Sequence, residues 1–232
     1  MSDQPRMSPK PLLKAEDVAY WYFRLNGFLL LENFYVHPDR GGGALTDADL
    51  LAVRFPHRAE RVFDNPTDVM EDDDQTLALT RDRIDVVIAE IKTGRCALNG
   101  PWTDPGRRNM QRVLAAIGVV PQARIGEAAA ALYEHGYFEA DAALRVRLVA
   151  VGSRTDEDIN TRYPRVSQVT WPDALRFIYR RLRRYRDQKS DTQHWNSAGH
   201  LLKRHVNRYS RSEDDFIAWA TGAMTPAPSE GG

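Results

Sequence analysis

The sequence predicts an α/β protein in which helices flank a mixed sheet and a helical C-terminal extension follows. Three observations support this class. Helical periodicity over residues 12–26 precedes three apolar segments of strand character. A helical region and two further strands follow these segments, and the chain after Pro172 is almost entirely helical in pattern. We predict a core over residues 11–171, a basic helical extension packed on it over 172–223, and disordered ends at 1–10 and 224–232.

The spacing of apolar residues and the position of Gly27 predict the first helix and the strands that follow it. Val18, Trp21, Tyr22 and Leu25 share one face of a helix, and Gly27 is a suitable stop. Runs of large apolar residues then predict three strands, at residues 28–36, 49–55 and 84–92. Residues 56–82, which are polar and acidic, predict a long loop or an extended hairpin.

The later elements follow from the same signals. Gly118 ends a predicted helix over 107–117, and Pro172 starts a long one that runs to residue 188. The remaining predictions are helices at 127–133, 195–209 and 213–220, strands at 144–151 and 166–171, and a loop at 154–162.

Composition excludes several classes of protein. The chain has 232 residues, of which 42% are hydrophobic and 28% charged, as in ordinary globular proteins. No apolar run approaches the roughly 20 residues that span a bilayer, and the N-terminus lacks the apolar stretch of a signal peptide. The single cysteine, Cys96, permits neither an intrachain disulfide nor a cysteine zinc cluster. We therefore expect a cytoplasmic protein with no membrane partner.

The net charge of zero conceals an uneven distribution. Residues 1–100 hold 12 Lys and Arg against 17 Asp and Glu, a net charge of −5. Residues 172–211 hold 11 Lys and Arg against 3 Asp and Glu, a net charge of +8. The first region favours a cation site, and the second is able to attract a polyanion.

The third predicted strand ends in two charges on one face. Alternate side chains of a strand point the same way, so Glu90 and Lys92 lie together while Ile91 turns toward the core. Asp49 stands at the start of the preceding apolar strand. Buried charges are costly unless they are paired or bind metal, so this pattern suggests a divalent-metal site with a lysine beside it. The alternative is a surface Glu90–Lys92 pair that contributes less than about 1 kcal/mol.

Asp49 and the Glu90-x-Lys92 motif, in a helix–strand–strand–strand–helix–strand order, resemble the PD-(D/E)xK nuclease superfamily over roughly residues 12–152. The resemblance implies a three-layer, restriction-endonuclease-like core of αβββαβ order. It also implies that Asp49, Glu90 and the backbone carbonyl of Ile91 bind Mg²⁺ or Mn²⁺, and that Lys92 acts on the attacking water. The chain departs from the motif in one respect, because Ala48 replaces the proline before the aspartate.

The superfamily often adds a carboxylate from the first helix. Glu16 is the positional match, although an acid in a first helical turn also stabilises the helix dipole. Glu32, a lone acid within an apolar strand, is an equal candidate for an additional catalytic carboxylate, and it faces either the metal or solvent.

Several residues are candidates for nucleic-acid binding. Gln111 resembles a glutamine of RecB-like members, with a solvent-facing helical residue as the alternative. The basic C-terminal helices supply cations for phosphate contacts, or form a solvated face whose arginine stems cover the core. The candidates there are Arg180, Arg183, Arg184, Lys189, Lys203 and Arg204.

These expectations describe a Mg²⁺-dependent deoxyribonuclease, of a kind used in repair, restriction and phage defence. RNA stays open as a substrate, as does a homodimer or a partner subunit. The alternative is a catalytically inactive subunit of the same fold that binds nucleic acid or serves in assembly.

Overall fold

A computed structural model describes residues 12–38, 43, 45–62 and 67–225. The segments predicted as disordered, 1–10 and most of 224–232, lie outside these ranges, apart from Met224 and Thr225.

Six strands and nine α-helices are found in the described ranges. The strands are β1 Leu29–Val36, β2 Thr46–Arg54, β3 Ile84–Ile91, β4 Tyr137–Asp141, β5 Leu144–Gly152 and β6 Ser167–Thr170. The helices are α1 Ala15–Leu25, α2 Asp74–Leu77, α3 Gly100–Thr103, α4 Asn109–Ile117, α5 Ile125–His135, α6 Glu157–Arg162, α7 Trp171–Arg184, α8 Ser197–Arg204 and α9 Glu213–Met224.

The strands form one mixed sheet. β1, β2 and β3 are successive antiparallel neighbours, and β5 lies parallel to β3. The far side of β5 pairs with two strands, antiparallel β4 along its first half and parallel β6 along its second half. The carboxyl ends of β3, β5 and β6 therefore meet at one edge of the sheet, where Lys92 follows β3.

Helices cover both faces of this sheet. Residues of α1, α7, α8 and α9 form one buried core with inward side chains such as Leu50 and Val87. Residues of α3, α4, α5 and α6 form a second core around Leu51, Val86 and Leu148. The prediction of an α/β protein with a mixed sheet flanked by helices is therefore confirmed. The C-terminal helices belong to the first core together with α1.

The structure corrects the sequence prediction in two places. Residues 157–162, predicted as loop, form α6, because the Asp156 carboxylate caps the N–H of Asp158 and two acids occupy the first turn. Strand β4 was not predicted, since only Tyr137 and Phe138 of its five residues are buried. Residues 56–82 include an isolated bridge between Arg61 and Val69 and the short helix α2.

A buried ion cluster lies at the end of β3 away from Lys92. Asp85 is fully buried, and both of its carboxylate oxygens accept hydrogen bonds from Arg145 and Arg147 on β5. Burial raises the pKa of Asp85, but the two guanidinium groups outweigh it and hold that pKa below its usual range. The cluster joins β3 to β5 by side chains as well as by backbone.

No helix in the described part of the chain has the length and apolar character needed to cross a membrane.

We predict that Asp85→Asn destabilises the fold by roughly 3–5 kcal/mol, because it leaves two buried arginines without their anion. Urea unfolding followed by circular dichroism measures this loss. The matched control is Asp82→Asn, which removes an exposed carboxylate paired with Arg83. We expect little change in the urea midpoint of the control. Equal midpoints for the two variants would contradict the prediction.

Candidate active site

The candidate site lies where β2 separates from β3. The antiparallel ladder between these strands ends at the pair Leu50–Ala89, although β2 begins four residues earlier and β3 continues to Ile91. The pairing of β1 with β2 continues past this point to Val36 and Thr46. The two strands therefore form a fork whose inner sides lack backbone partners.

The side chain of Asp49 bridges this fork. The backbone N–H of Ile91 donates to Asp49 Oδ2 over 2.7 Å. Since the N–H and C=O of one strand residue point to the same side, the Ile91 carbonyl also faces β2. Asp49 and the Ile91 carbonyl, both predicted as metal ligands, thus lie together at the fork.

The β1–β2 hairpin changes its packing at this level. Ala48 and Leu51 belong to the core of α4 and α5, whereas Leu50 belongs to the core of α1. The regular alternation of faces is therefore interrupted at Asp49. The facing position in β1 is Asn33, whose φ of 50° lies in the left-handed region and which has no partner in the ladder. This irregularity turns Asp49 out of the regular ladder.

Glu90 is buried and accepts hydrogen bonds from three side chains. Lys92 Nζ and Asn99 Nδ2 both donate to Oε1, and Trp102 Nε1 donates to Oε2 over 2.7 Å. The prediction that Glu90 and Lys92 share a face while Ile91 is buried on the other side agrees with these contacts. The Glu90 side chain is 4% exposed and that of Lys92 is 32% exposed, so the ammonium group lies between the carboxylate and solvent.

Sequence reasoning did not identify Asn99 and Trp102 as site residues. Both belong to the turn-rich segment Asn99-Gly100-Pro101-Trp102, of which the last three residues begin α3. The available signal was a tryptophan in a turn soon after Glu90, because an indole that is buried needs an acceptor for its N–H.

The pKa values of the two acids are both shifted upward. Burial raises the pKa of Asp49, and the Ile91 N–H and Lys92 oppose this shift without cancelling it. Burial also raises the pKa of Glu90, Asp49 adds to the effect, and Lys92 opposes it. The two carboxylates therefore repel each other in a region of reduced solvation, which is an environment that favours a bound cation.

Glu16 and Glu32 differ in their relation to the fork. The negative charge of Glu16, in the first turn of α1, contributes to the raised pKa of Asp49. Glu32 is exposed on the edge strand β1, and its pKa is raised by burial and by Asp17 and Glu16, with Lys14 opposing them. Of the two candidates, Glu16 is the one that acts on Asp49.

The oxygen atoms of the fork fit a hard divalent cation. Asp49 Oδ1 accepts no hydrogen bond from the residues that the structure describes. Glu90 accepts three, and a carboxylate has about four acceptor positions. The Ile91 carbonyl adds a neutral oxygen. Among the described residues, no group of three or more His, Cys, Asp or Glu side chains is arranged to hold a metal.

The basic residues in the last turns of α7 lie away from the fork, whereas Arg204 of α8 lies near Asp17 at the start of α1. Trp171, at the start of α7, donates from Nε1 to the Lys92 carbonyl over 3.1 Å. Arg184 ends this 14-residue helix, about 20 Å further along its axis. The last turn of α7, which holds Arg183 and Arg184, is therefore separated from Lys92 by the length of the helix.

Most of these cations have partners within the chain. Arg180 pairs with Glu213, Arg184 with Glu71, Lys189 with Glu60, and Lys203 donates to the carbonyls of Lys189 and Ser190. Arg183 and Arg204 are exposed and have no ion-pair partner in the described ranges. Glu60 and Glu71, in the segment 56–82 that was predicted as a long loop or an extended hairpin, thus neutralise much of the basic helix.

Gln111 lies on α4 beside Arg108 and Arg112, at a shallow hollow in the surface. Its Oε1 is buried and has no hydrogen-bond partner in the described part of the chain. No contact brings it to Glu90, and its role in nucleic-acid binding stays a prediction.

No family model, curated protein or solved structure matches this chain. The function is therefore argued from the geometry of the chain itself.

We predict that Asp49→Asn raises the melting temperature by a few °C at pH 7 in EDTA. Folding raises the pKa of this carboxyl, so its ionisation destabilises the folded state. This destabilisation grows as the pH rises from the unfolded-state pKa through the folded-state pKa, and it is fully present at neutral pH. The asparagine removes this charge and keeps an oxygen for the Ile91 N–H. The gain should vanish below about pH 4, where the wild-type acid is protonated.

Scanning calorimetry between pH 4 and pH 8 measures this difference. Asp82→Asn is the control, because it makes the same change at an exposed carboxylate near the opposite end of β3. A gain that is equal in both variants, or that does not depend on pH, would contradict the burial of charge at Asp49.

Proposed function

We propose that this protein is a metal-dependent nuclease that hydrolyses phosphodiester bonds in DNA, with Asp49, Glu90 and Lys92 at its catalytic site. The observation that carries the proposal is the fork between β2 and β3. There the Asp49 carboxylate bonds to the backbone that follows Glu90, and the Lys92 ammonium contacts Glu90. Two acids, a carbonyl and a lysine are the groups that this reaction needs at one point.

The order of the elements supports a restriction-endonuclease-like core. Helix α1, the antiparallel strands β1 to β3, the helices α4 and α5, and β5 parallel to β3 give the order αβββαβ. In this assignment β4 is an additional strand on the far side of β5. The helices α7 to α9 are then the C-terminal extension.

Asp49, Glu90 and the Ile91 carbonyl would hold Mg²⁺ or Mn²⁺. The metal supplies positive charge for the scissile phosphate and a more acidic water. The raised pKa values of both acids reflect a site in which negative charge lacks sufficient compensation, and a cation there provides it.

Lys92 positions a positive charge at the solvent side of Glu90. Its ammonium carries three donors, of which one is used by Glu90. The remaining donors are available to orient a water molecule and to stabilise the charge that develops on a pentacovalent phosphate. Asn99 donates to the same Glu90 oxygen as Lys92, and Trp102 donates to the other oxygen, so that the carboxylate keeps one orientation toward Lys92.

A second candidate function is a catalytically inactive subunit of this fold that binds nucleic acid. The observation that favours it is the saturation of Glu90 by three side-chain donors, which partly compensates the charge without a metal. Calorimetry with Mn²⁺ separates the two candidates. Binding by the wild type that is lost in Asp49→Ala favours the enzyme, and absence of binding favours the inactive subunit.

We predict that Asp49→Ala abolishes Mg²⁺-dependent nicking of plasmid DNA, and that Lys92→Ala lowers its rate roughly 100-fold or more. The first variant loses a metal ligand and the second loses the cation beside the reacting water. A plasmid-nicking assay in Mg²⁺ against EDTA measures both rates.

Both variants should still bind DNA in EDTA, since neither removes a cluster of phosphate contacts. Asp82→Asn serves as the control and should nick at the wild-type rate, because it changes an exposed carboxylate near the opposite end of β3. Undiminished nicking by both Asp49→Ala and Lys92→Ala would refute the proposed site.

The variants Glu16→Gln and Glu32→Gln test which of the two residues is the additional catalytic carboxylate. We predict that Glu16→Gln weakens Mn²⁺ binding several-fold and that Glu32→Gln leaves it nearly unchanged, because only Glu16 acts on Asp49. Isothermal titration calorimetry measures both affinities. Weaker Mn²⁺ binding in Glu32→Gln than in Glu16→Gln would identify Glu32 as the additional carboxylate.

A further inference from the structure

Four exposed arginines lie beyond the carboxyl ends of β3 and β5, in the loops that leave the sheet on the side of the candidate site. Two loops carry them, the segment that follows β3 and the segment that follows β5. These residues, which we call the arginine rim, are Arg95, Arg107, Arg108 and Arg154. All four are exposed, and none was singled out by the sequence patterns.

Backbone hydrogen bonds hold the first part of the rim near Lys92. The Cys96 N–H donates to the Arg154 carbonyl over 2.9 Å, and the Ser153 N–H donates to the Gly94 carbonyl over 2.6 Å. A Cβ at Gly152 would lie 2.4 Å from the Cys96 nitrogen, so the two loops are in tight contact. Arg95 and Arg154 are thus fixed two to four residues beyond the strand ends that carry the site.

The second part of the rim belongs to the loop that holds Glu90. Asn99 and Trp102 reach inward to the Glu90 carboxylate, whereas Arg107 and Arg108 of the same loop are exposed. The Arg107 guanidinium lies beside Gly100, 3.6 Å from the position of a Cβ there. The loop from Asn99 to Arg108 therefore carries both the side-chain donors to Glu90 and two surface cations.

The rim differs from the basic half of α7 in its pairing. Arg95 and Arg107 make single long contacts, with Asp156 at 3.2 Å and Asp104 at 3.4 Å. Arg108 and Arg154 have no ion-pair partner within the described ranges. By contrast, Arg181 of α7 is buried against Glu60 and donates to the Glu71 carbonyl. Exposed and weakly paired arginines are the ones that are free to bind phosphates.

The opposite side of the fork carries acids. Glu16 and Asp17 begin α1, and Glu32 and Asp47 lie on the β1–β2 hairpin. Lys14 and Arg204 also lie on that side, but the acids outnumber them, so a polyanion that reaches Asp49 and Glu90 is attracted more strongly on the side of the rim. The charge distribution around the site therefore defines one direction of approach.

We infer that the DNA backbone binds across the arginine rim, and that the arginines of α7, most of which form ion pairs within the chain, do not bind the substrate. This inference rests on the proposed nuclease function and names the surface through which the substrate reaches the site.

The test measures DNA binding by full-length variants in EDTA, so that cleavage does not interfere. Arg108→Gly and Arg154→Ala each remove one rim charge. Arg108 has a φ of 55°, which glycine adopts more easily than arginine, so this substitution relieves backbone strain while it removes the guanidinium. Arg183→Ala and Arg204→Ala remove two unpaired cations of the C-terminal helices. These two variants test the surface that the sequence predicted to bind nucleic acid.

Fluorescence anisotropy with a labelled duplex, repeated at several salt concentrations, gives the affinity and its salt dependence. We expect each rim variant to weaken binding several-fold and to reduce the slope of log K against log salt by about 0.9, the value for one phosphate contact. Arg183→Ala and Arg204→Ala should match the wild type in both quantities.

Three results would overturn the inference. Weaker binding in Arg183→Ala and Arg204→Ala, with the rim variants unchanged, would place the DNA on the C-terminal helices. An affinity equal to that of the wild type in all four variants would exclude both surfaces as the DNA-binding surface. Binding of a labelled RNA without binding of DNA would overturn the choice of substrate. The nicking assay in Mg²⁺ distinguishes these outcomes from failure of the proposed function, since a wild type that nicks DNA keeps that function whichever surface binds.

Discussion

The hydrogen bond from the Ile91 N–H to the Asp49 carboxylate is the contact on which the candidate site depends. A strand residue at the end of a ladder has a backbone donor that needs an acceptor, and here a side chain supplies it. The bond keeps β2 and β3 at a fixed separation after their backbone pairing stops at Leu50 and Ala89. The opening between the strands is therefore a defined structure, and it brings carboxylates from two strands to one point.

Ion pairs within the chain neutralise much of the positive charge that the sequence concentrates in the C-terminal region. The acidic segment 58–74 and the basic helix α7 are more than 100 residues apart, yet Glu60 and Glu71 pair with Arg181, Arg184 and Lys189. Burial raises the pKa of Glu60, but Lys189 and Arg181 outweigh it and hold that pKa below its usual range. The +8 charge of residues 172–211 is consequently a poor guide to the surface potential, and small groups of unpaired arginines elsewhere become more important.

The parts of the fold that sequence could predict are those with a local periodic signal. β3, β5, α1 and α7 repeat apolar residues at strand or helix spacing and were predicted within a few residues of their bounds. The contacts of Glu90 with Asn99 and Trp102 depend on the path of an irregular turn, which no periodicity describes. The same holds for pairs such as Arg181 and Glu60, since their meeting depends on the packing of segments distant in sequence.

Two buried carboxylates on one strand show how structural and functional charges differ. Asp85 lies between two arginines that hold its pKa below the usual range, so its ionised form is compensated within the fold. Glu90, five residues later on β3, receives a lysine, an amide and an indole N–H, and its pKa is nevertheless raised. Stability alone would favour an apolar residue or a fully paired acid at such a position. An acid whose pKa is raised by burial and by a second acid, Asp49, is one that a bound cation would stabilise, and for this reason we propose the chemistry at this end of the strand.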